Sequence, residues 1–366
     1  MNILYLTNHL DIGGITSYVL SLAGGLKLRG HNIYIASSSE GQLLKLMSEG
    51  INFIPIPIRT KSEVSPKIII SLFKLAKVIR KNNIDIVHAN SRTTQVLGCL
   101  LEKKTAVASI STCHGFFKKR FSRRLFPCWG RPVIAISQQV KEHLINDFKV
   151  RNEDIRLIHN GIDAGNLREE SSGRRAQIKK ELGLGDGPVV GIVARLSDVK
   201  GHIYLIQAMS PVLEKFPSAK LLIVGEGPME DKLKAKVLEL KIGKSVVFLP
   251  SVSDTGEVLE AMDLFVMPSL KEGLGLSLME AMAKGRAVIG SNVGGIKTLI
   301  QHKFNGLLVN PEDEQGLSLA ILELLQDPIE AKSLGNNARG FIAQNFSLEE
   351  MLLKTEEAYR ECVNKN

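Results

Sequence analysis

The sequence predicts an α/β protein with two Rossmann-like, doubly wound domains, and three observations support this fold class. The chain has 366 residues, which exceeds the usual size of a domain built around a single hydrophobic core. Short apolar runs alternate with longer amphipathic runs, the pattern of parallel βα units. The alternation lapses into a polar stretch over 163–187 and then resumes. We therefore expect domains over 1–165 and 166–345, followed by a C-terminal helical segment over 346–366.

The predicted elements follow from this alternation. Strands are expected in the first half at 2–6, 32–36, 53–57, 84–87, 106–111, 132–136 and 155–158, and in the second at 189–194, 220–224, 245–249, 263–267 and 287–290. Helices are expected at 14–29, 66–81, 203–215, 229–240, 275–284 and 347–362. Ligands of open α/β sheets bind beyond the carboxyl ends of the strands. Residues just after each strand, facing a cleft between the domains, are therefore the site candidates.

Composition narrows the class of protein. Hydrophobic residues make up 44% and charged residues 23% of the chain, as in soluble globular proteins. An apolar run of about 18 residues, long enough to span a membrane, is absent. The N-terminus MNILYLTNHL reads as a first strand, since it lacks the basic and long apolar regions of a signal peptide. The four cysteines are scattered without CxxC spacing, which argues against zinc or disulfides and for a cytoplasmic location.

Charge is distributed unevenly along the chain. The net charge is +9, and residues 1–170 carry +11 while residues 171–366 carry −2. An excess of cations confined to one half indicates an anionic partner for that half, either a membrane or a nucleic acid.

The segment VARLSDVKGH, residues 193–202, places two cations after a predicted strand. Arg195 can hold phosphate oxygens in a bidentate fashion, and Lys200 can act as a point charge. The helix that follows adds amide donors and the positive end of its dipole. The alternative is a pair of solvated surface cations.

A glycine pair, Gly13 and Gly14, lies between the first strand and the first helix. Glycines there permit close approach of the backbone to a ligand, although they can also serve only a tight turn. The pattern is not GxGxxG, and no acidic residue closes the second strand, so a nicotinamide dinucleotide site is poorly supported.

The segment PSLKEGLGLSLMEAMAKG, residues 268–285, contains two glutamates eight positions apart. The pattern predicts a strand, then a loop with Glu272, then a helix with Glu280. Carboxylates only accept hydrogen bonds, and each can take two sugar hydroxyls. A solvated helix face is the alternative, and the spacing alone is a weak signal.

Taken together, these motifs make the chain resemble the retaining glycosyltransferases of the GT-B fold, family 4. The segment EGLGLSLMEAMA matches their E-x7-E signature. The other matching motifs occur in the family's order, namely the glycine pair, DIVH at 85–88, HG at 114–115, HNGID at 159–163, ARL-x3-KG, GEGP at 225–228 and NGLLV at 305–309. The resemblance covers nearly the whole chain. It implies a GT-B fold, for which we expect the C-terminal helix to cross back to the N-terminal domain.

The resemblance implies a nucleotide diphosphate sugar as donor, bound mostly by the C-terminal domain. Arg195 and Lys200 match the residues that neutralise the diphosphate, Glu280 matches the ribose ligand, and Glu272 matches the sugar ligand. Further donor contacts are implied at Gly14, Gly225, Pro228, Val252, Gly273, Leu274 and Gly275. Two fixed cations can replace a metal ion, and no DxD pair follows a strand. We therefore expect no metal and no other cofactor.

The resemblance also implies roles around the reacting carbon and the acceptor. His114 matches a family histidine that orients the donor sugar, although a loop histidine can simply bond locally. We expect His114, Glu272, Arg195 and Lys200 to be the catalytic set. Gly13, His88 and Asn160 are expected on the acceptor side. The implied acceptor is a hydroxyl of a cell-envelope glycan or a lipid-linked glycan, as in lipopolysaccharide, exopolysaccharide or glycolipid synthesis.

The segment HGFFKKRFSRRLFPCWGR, residues 114–131, has six cations, five aromatic residues and no acid. Such a basic amphipathic segment can lie at an anionic membrane interface. We expect a membrane patch at Lys118, Lys119, Arg120, Arg123 and Arg124, and thus a peripheral location at the inner face of the plasma membrane. The alternative is that the aromatic side chains belong to the core and the cations are solvated.

Three competing functions remain open from the sequence. A basic protein can bind nucleic acid, but no recognition motif is present and we expect no nucleic-acid partner. Another GT-B enzyme, such as an epimerase or a phosphorylase, would share the fold. A scaffold without catalysis is the third, and the presence of Arg195, Lys200, Glu272 and Glu280 argues against it.

Overall fold

The computed structural model describes residues 1–39, 41, 50–60, 62–119, 123, 126–163 and 172–364. These residues form two compact units. The first comprises Met1–Gly161 together with Leu348–Asn366, and the second comprises Ile162–Ser347. The predicted division lay between residues 165 and 166, with the last segment starting at 346.

The first unit is a parallel sheet with helices on both faces. Its strands are β1 Asn2–Leu6, β2 Asn32–Ser37, β3 Ile51–Pro55, β4 Ile86–Ala89, β5 Ala108–Cys113, β6 Val133–Ala135 and β7 Ile155–Leu157. Its helices are α1 Gly14–Leu28, α2 Pro66–Lys81, α3 Arg92–Thr105 and α4 Gln138–Phe148. The spatial order is β3-β2-β1-β4-β5-β6-β7, so the order reverses between β1 and β4.

Alternation along β1 explains the two helical layers of the first unit. Ile3 and Tyr5 point to the face covered by α1, while Leu4 and Leu6 point to the face covered by α2 and α3. All four side chains are fully buried, as expected of strands in a parallel sheet covered on both faces.

The C-terminal helix belongs to the first unit. This helix, Leu348–Asn364, packs beside α1 on the same face of the sheet. Leu352 reaches so close to Gly25 of α1 that a Cβ on Gly25 would lie 2.5 Å from a Leu352 methyl group. Glu356 binds both Arg29 and His31. Apolar packing and these polar contacts together fix the helix on this sheet.

The second unit is also a parallel sheet with helices, and its sheet has six strands. They are β8 Val189–Val193, β9 Lys220–Val224, β10 Val246–Leu249, β11 Leu264–Met267, β12 Ala287–Ser291 and β13 Leu307–Val309. The helices are α5 Ser172–Glu181, α6 His202–Lys215, α7 Glu230–Glu239, α8 Gly256–Ala261, α9 Leu276–Ala283, α10 Ile296–Leu299, α11 Glu314–Gln326 and α12 Pro328–Asn345, and the C-terminal helix is α13. The order β10-β9-β8-β11-β12-β13 reverses between β8 and β11.

The predicted α/β class with two Rossmann-like domains is confirmed by this architecture. All twelve predicted strands are present, with ends that differ by a few residues. The strand β13 was missed, because LLV alone is too short a run to stand out. None of the described helices has the length and hydrophobicity needed to cross a membrane.

Candidate active site

Two oppositely charged side chains meet where the strand order of the second unit reverses. Lys200 lies in the loop after β8, and Glu272 lies in the loop after the neighbouring strand β11. The Lys200 ammonium group donates to the Glu272 carboxylate. Their side chains are 23% and 12% exposed, respectively. The reversal point of an open α/β sheet is where ligands bind, so this ion pair marks the candidate site.

Backbone contacts explain why these two loops meet. The amide of Leu270 donates to the carbonyl of Val199 at 2.8 Å. Gly201, with a φ of 70°, presses against the carbonyl of Pro268, and a Cβ at this position would lie 1.9 Å from that oxygen. Only glycine fits there, for reasons of both space and backbone conformation. Gly201 also begins α6 without a side-chain cap, which leaves the first amides of that helix available to an anion.

Arg195 is exposed, and the part of the chain that the structure describes provides it with no ion pair. Its loop is held by the turn after β9. Gly225 and Gly227 approach the carbonyls of Ala194 and Leu196 so closely that a Cβ would lie 2.1 and 2.2 Å from these oxygens. The arginine is therefore anchored through its backbone while its guanidinium remains available for an anion. Further along these loops, Pro228 is exposed and Val252 is partly buried.

The glycine-rich turn after Glu272 is buried, and the backbone at Gly295 packs against it. Gly273, Leu274 and Gly275 are all buried. Gly295 packs against this turn, since a Cβ there would lie 2.1 Å from the Gly273 carbonyl oxygen, and its amide donates to the Glu272 carbonyl at 2.9 Å. Gly275 begins α9 with a φ of 96° and no side-chain cap. The turn thus presents the amide end of α9 beside Glu272.

Glu280 lies in the second turn of α9, eight positions after Glu272 of the preceding loop. Thr255 donates a hydrogen bond to its carboxylate at 2.9 Å. Burial raises the pKa of Glu280 to about 7. The bond from Thr255 partly offsets that rise and the nearby Asp254 carboxylate adds to it. A carboxyl group that titrates near neutral pH is typical of a ligand-binding position.

In the first unit, the candidate glycine pair also lies at the reversal of strand order. Gly13 and Gly14 follow β1 and begin α1, which has no side-chain cap. Neither glycine would have a neighbour within 4 Å of an added Cβ, so open space adjoins the backbone there. The amide end of α1 is therefore accessible, as a backbone contact to a phosphate would require.

His114 follows β5 and is partly buried. Its Nε2 lies 3.2 Å from Oδ1 of Asn90, and the ring of Tyr18 packs against it edge-on with centroids 4.8 Å apart. Burial lowers the pKa of His114 to about 3, so the imidazole is neutral at physiological pH.

The surroundings of His88 disfavour the direct contact with an acceptor that the sequence predicts. The residue is fully buried, with Nδ1 2.5 Å from the Tyr359 hydroxyl and Nε2 2.7 Å from Thr112 Oγ1. Both ring nitrogens are therefore used within the protein. Asn160 is also buried, at 6% exposure, which disfavours direct contact with an acceptor.

The predicted membrane patch requires a correction at Arg123. This residue is 7% exposed, and its guanidinium lies 4.1 Å from the ring centroid of Phe117 and 5.5 Å from that of Trp129. It is a buried cation stacked on aromatic rings, so it cannot meet a membrane surface. Lys118 and Lys119 are exposed, and Lys119 pairs with Asp147 at 2.7 Å. Arg120 and Arg124 lie outside the described residues.

Sequence reasoning missed four polar side chains that hold the candidate residues. Thr255 binds Glu280, Asn90 binds His114, and Thr112 and Tyr359 bind His88. Threonine, asparagine and tyrosine carry little signal in a sequence, because only the fold shows which group each one meets. Among the described residues no group of three or more His, Cys, Asp or Glu side chains is arranged to hold a metal ion, and metal independence stays a prediction.

Comparison with known proteins identifies the class. The model for "Glycosyltransferase Family 4" matches residues 12–166, and that for "Glycosyl transferases group 1" matches residues 174–341. The chain belongs to this family of glycosyltransferases and has the GT-B fold.

Individual relatives agree with this assignment. The chain is 33% identical to a GDP-mannose-dependent monoacylated α-(1-6)-phosphatidylinositol monomannoside mannosyltransferase of Corynebacterium glutamicum, over 76% of each chain. It is 28% identical to an N-acetyl-α-D-glucosaminyl L-malate synthase of Bacillus anthracis, over 98% of this chain and 96% of that one. A crystal structure of a glycosyltransferase from Rickettsia africae superposes with a TM-score of 0.86 at 25% identity, covering 100% and 99% of the two chains.

The titration of Glu280 leads to a pH prediction. If Glu280 accepts hydrogen bonds from the ribose of a nucleotide sugar, as the sequence predicts, the Kd of that ligand should rise as pH falls below about 7, by up to tenfold per pH unit, because protonation removes an acceptor of the ribose hydroxyls. Calorimetric titration between pH 6 and 8.5 measures this. Thr255→Val removes a bond to the carboxylate and should move the inflection to higher pH. Glu280→Gln should bind weakly at every pH, and a wild-type profile as flat as that of this variant would contradict the assignment.

Proposed function

We propose that the protein is a retaining, metal-independent glycosyltransferase that moves a hexose from a nucleotide diphosphate sugar to a hydroxyl group of a cell-envelope glycan or lipid-linked acceptor. The observation that carries the donor assignment is the ion pair Lys200–Glu272 at the reversal of strand order, beside the exposed Arg195. The arrangement supports the proposal because cations suit a diphosphate and a neighbouring carboxylate suits sugar hydroxyls.

The donor is bound by groups with separate tasks. Arg195 and Lys200 neutralise the diphosphate, together with the amide ends of α6 and α9. Glu272 accepts hydrogen bonds from the sugar, and Glu280 accepts them from the ribose. The nucleobase rests on the backbone near Gly225, Pro228 and Val252. In the first unit, the open backbone at Gly14 leaves the amide end of α1 available to a phosphate.

Catalysis follows from the development of charge on the leaving group. As the glycosidic bond breaks, negative charge accumulates on the nucleoside diphosphate, and fixed cations stabilise that charge more strongly than they stabilise the ground state. Lys200 and Arg195 supply the stabilisation for which other enzymes use a metal ion. The leaving phosphate takes the acceptor proton on the same face of the sugar, and His114 orients the donor sugar.

The names of relatives and the charge of the chain bear on the acceptor and the location. By its name, the mannosyltransferase of Corynebacterium glutamicum acts on a monoacylated phosphatidylinositol monomannoside, whereas the relative from Bacillus anthracis is named as an N-acetyl-α-D-glucosaminyl L-malate synthase. We favour a lipid-linked acceptor and a peripheral location at the inner face of the plasma membrane. The +11 charge of residues 1–170 supports this choice.

The first test of this function is activity. We expect Lys200→Ala and Glu272→Ala each to lower kcat by at least about 100-fold, the cost of removing one group that stabilises transition-state charge, while circular dichroism shows a retained fold. Slow hydrolysis of UDP- and GDP-hexoses supplies the assay, with and without EDTA. Lys215→Ala, at an exposed cation on α6, is the matched control. Near-wild-type rates for both site variants, or activity lost in EDTA and restored by Mn²⁺, would refute the proposed site.

The outward face of α2 supports a membrane contact better than the segment 114–131 does. Ile69, Ile70 and Phe73 are 49%, 57% and 55% exposed. Residues 64–84 contain five cations and no acid. Lys104 of α3 lies 4.7 Å from the ring centroid of Phe73 and adds a further cation to this face. An exposed apolar patch surrounded by cations is the pattern of a helix that lies on an anionic bilayer.

Vesicle binding tests this contact. We expect the protein to sediment with vesicles containing phosphatidylglycerol, and the triple variant Lys77→Glu, Arg80→Glu, Lys81→Glu to bind at least tenfold less, since each cation near the surface is worth about fivefold in affinity. Phe73→Ser should weaken binding with all cations intact. The matched control reverses the exposed Lys215, Lys232 and Lys332 of the second unit. Equal losses of vesicle binding in the control and test variants would contradict the assignment to α2. A further variant, Lys118→Glu, Lys119→Glu, tests the other segment. If it alone loses vesicle binding, the contact lies in the segment 114–131.

A further inference from the structure

Asn90 connects His114 to the end of strand β4. It follows β4 directly and is 1% exposed. Its Nδ2 donates to the carbonyl oxygen of His88 at 3.2 Å. A backbone carbonyl only accepts hydrogen bonds, so it must face the NH₂ group of the amide and not its oxygen. The orientation of the Asn90 amide is thereby fixed, and its Oδ1 faces His114.

This orientation determines which nitrogen of His114 carries the proton. Oδ1 of Asn90 is also an acceptor only, and it lies 3.2 Å from Nε2 of His114. Nε2 must therefore carry hydrogen. Because burial lowers the pKa of His114 to about 3, the ring holds a single proton at physiological pH. Nδ1 then has a free lone pair and can accept a hydrogen bond.

We propose that Asn90 is a positioning residue that fixes His114 as the Nε2–H tautomer, so that Nδ1 is the hydrogen-bond acceptor this side chain offers to a sugar hydroxyl. The hydroxyl contact rests on the proposed glycosyltransferase site, whereas the tautomer follows from the geometry of Asn90 alone.

A buried polar frame keeps both Asn90 and His114 in place. Tyr18 packs edge-on against the His114 ring, and its hydroxyl lies 3.1 Å from Thr112 Oγ1. Thr112 lies 2.7 Å from His88 Nε2, and the Tyr359 hydroxyl of α13 lies 2.5 Å from His88 Nδ1. The carbonyl oxygen that orients Asn90 therefore belongs to His88, whose two ring nitrogens each have a hydrogen-bond partner. The frame joins α1, β4, β5 and the C-terminal helix.

Among the described residues, two titratable groups interact with His114, namely His88 and Tyr18, and neither carries charge at neutral pH. Burial lowers the pKa of His88 to about 3 and raises that of Tyr18. An amide at position 90 fixes the tautomer without adding charge, whereas a carboxylate would stabilise the imidazolium form and put a proton on Nδ1. Asparagine is thus the side chain that keeps Nδ1 unprotonated across physiological pH.

Nitrogen NMR of the free protein tests the tautomer without any substrate. The chain has eight histidines, so we would label histidine with ¹⁵N and assign His114 by comparison with His114→Gln. Long-range ¹H–¹⁵N spectra between pH 5.5 and 8.5 should show a protonated Nε2, an unprotonated Nδ1 and no titration. Asn90→Leu should give a mixture of tautomers. An Nδ1–H tautomer, or titration near pH 6.5, would overturn the proposal, and neither result depends on the enzyme's activity.

A pH profile of activity separates positioning from a merely structural role. In Asn90→Asp the carboxylate still accepts from Nε2–H but raises the pKa of His114. We expect kcat/KM for nucleotide-sugar hydrolysis to fall at least tenfold below wild type at pH 6 and to approach wild type by pH 9. The melting temperature checks that the variant is folded. A profile parallel to that of the wild type would overturn the role of Asn90. If no nucleotide sugar is turned over by the wild type, the proposed function fails and the NMR result still decides the tautomer.

Discussion

The ion pair between Lys200 and Glu272 is the interaction on which the candidate site of the second unit depends. It joins the loops of β8 and β11 where the sheet reverses its order. Without a ligand, each charge neutralises the other, so neither is left partly buried and unpaired. The same pairing puts a cation next to a hydrogen-bond acceptor, which are the two kinds of group that the proposed donor site requires. Close backbone packing at Gly201 and Gly295 keeps the two loops in this register.

In the first unit, the polar groups that must be held in place are neutral histidines and not an ion pair. His88 and His114 both have pKa values lowered by burial to about 3. Their orientation therefore comes from hydrogen bonds and not from charge. The C-terminal helix takes part through Tyr359, although it lies more than 200 positions from His114 in the chain. This gives a physical reason for the last helix to belong to the first unit.

Much of the fold was predictable from the sequence because parallel strands are short apolar runs bounded by loops, and helices have an amphipathic period. The family was predictable because glycines and charged residues occur in recognisable order. Contacts between distant side chains were not predictable. The burial of His88 depends on Tyr359 and Thr112, and the burial of Arg123 depends on Phe117 and Trp129. A cation in a basic segment looks the same in sequence whether it stacks in the core or faces solvent.

The most direct test of the central claim compares a nucleoside diphosphate with its nucleotide sugar as ligands at pH 8, by calorimetry. If Glu272 competes with the diphosphate for Lys200 in the free protein, Glu272→Ala should bind the nucleoside diphosphate several-fold more tightly than the wild type does. The same variant should bind the nucleotide sugar more weakly, because the sugar loses its acceptor. Lys200→Ala should weaken both. If Glu272→Ala weakens both ligands equally, or changes neither, the ion pair does not have the role assigned to it.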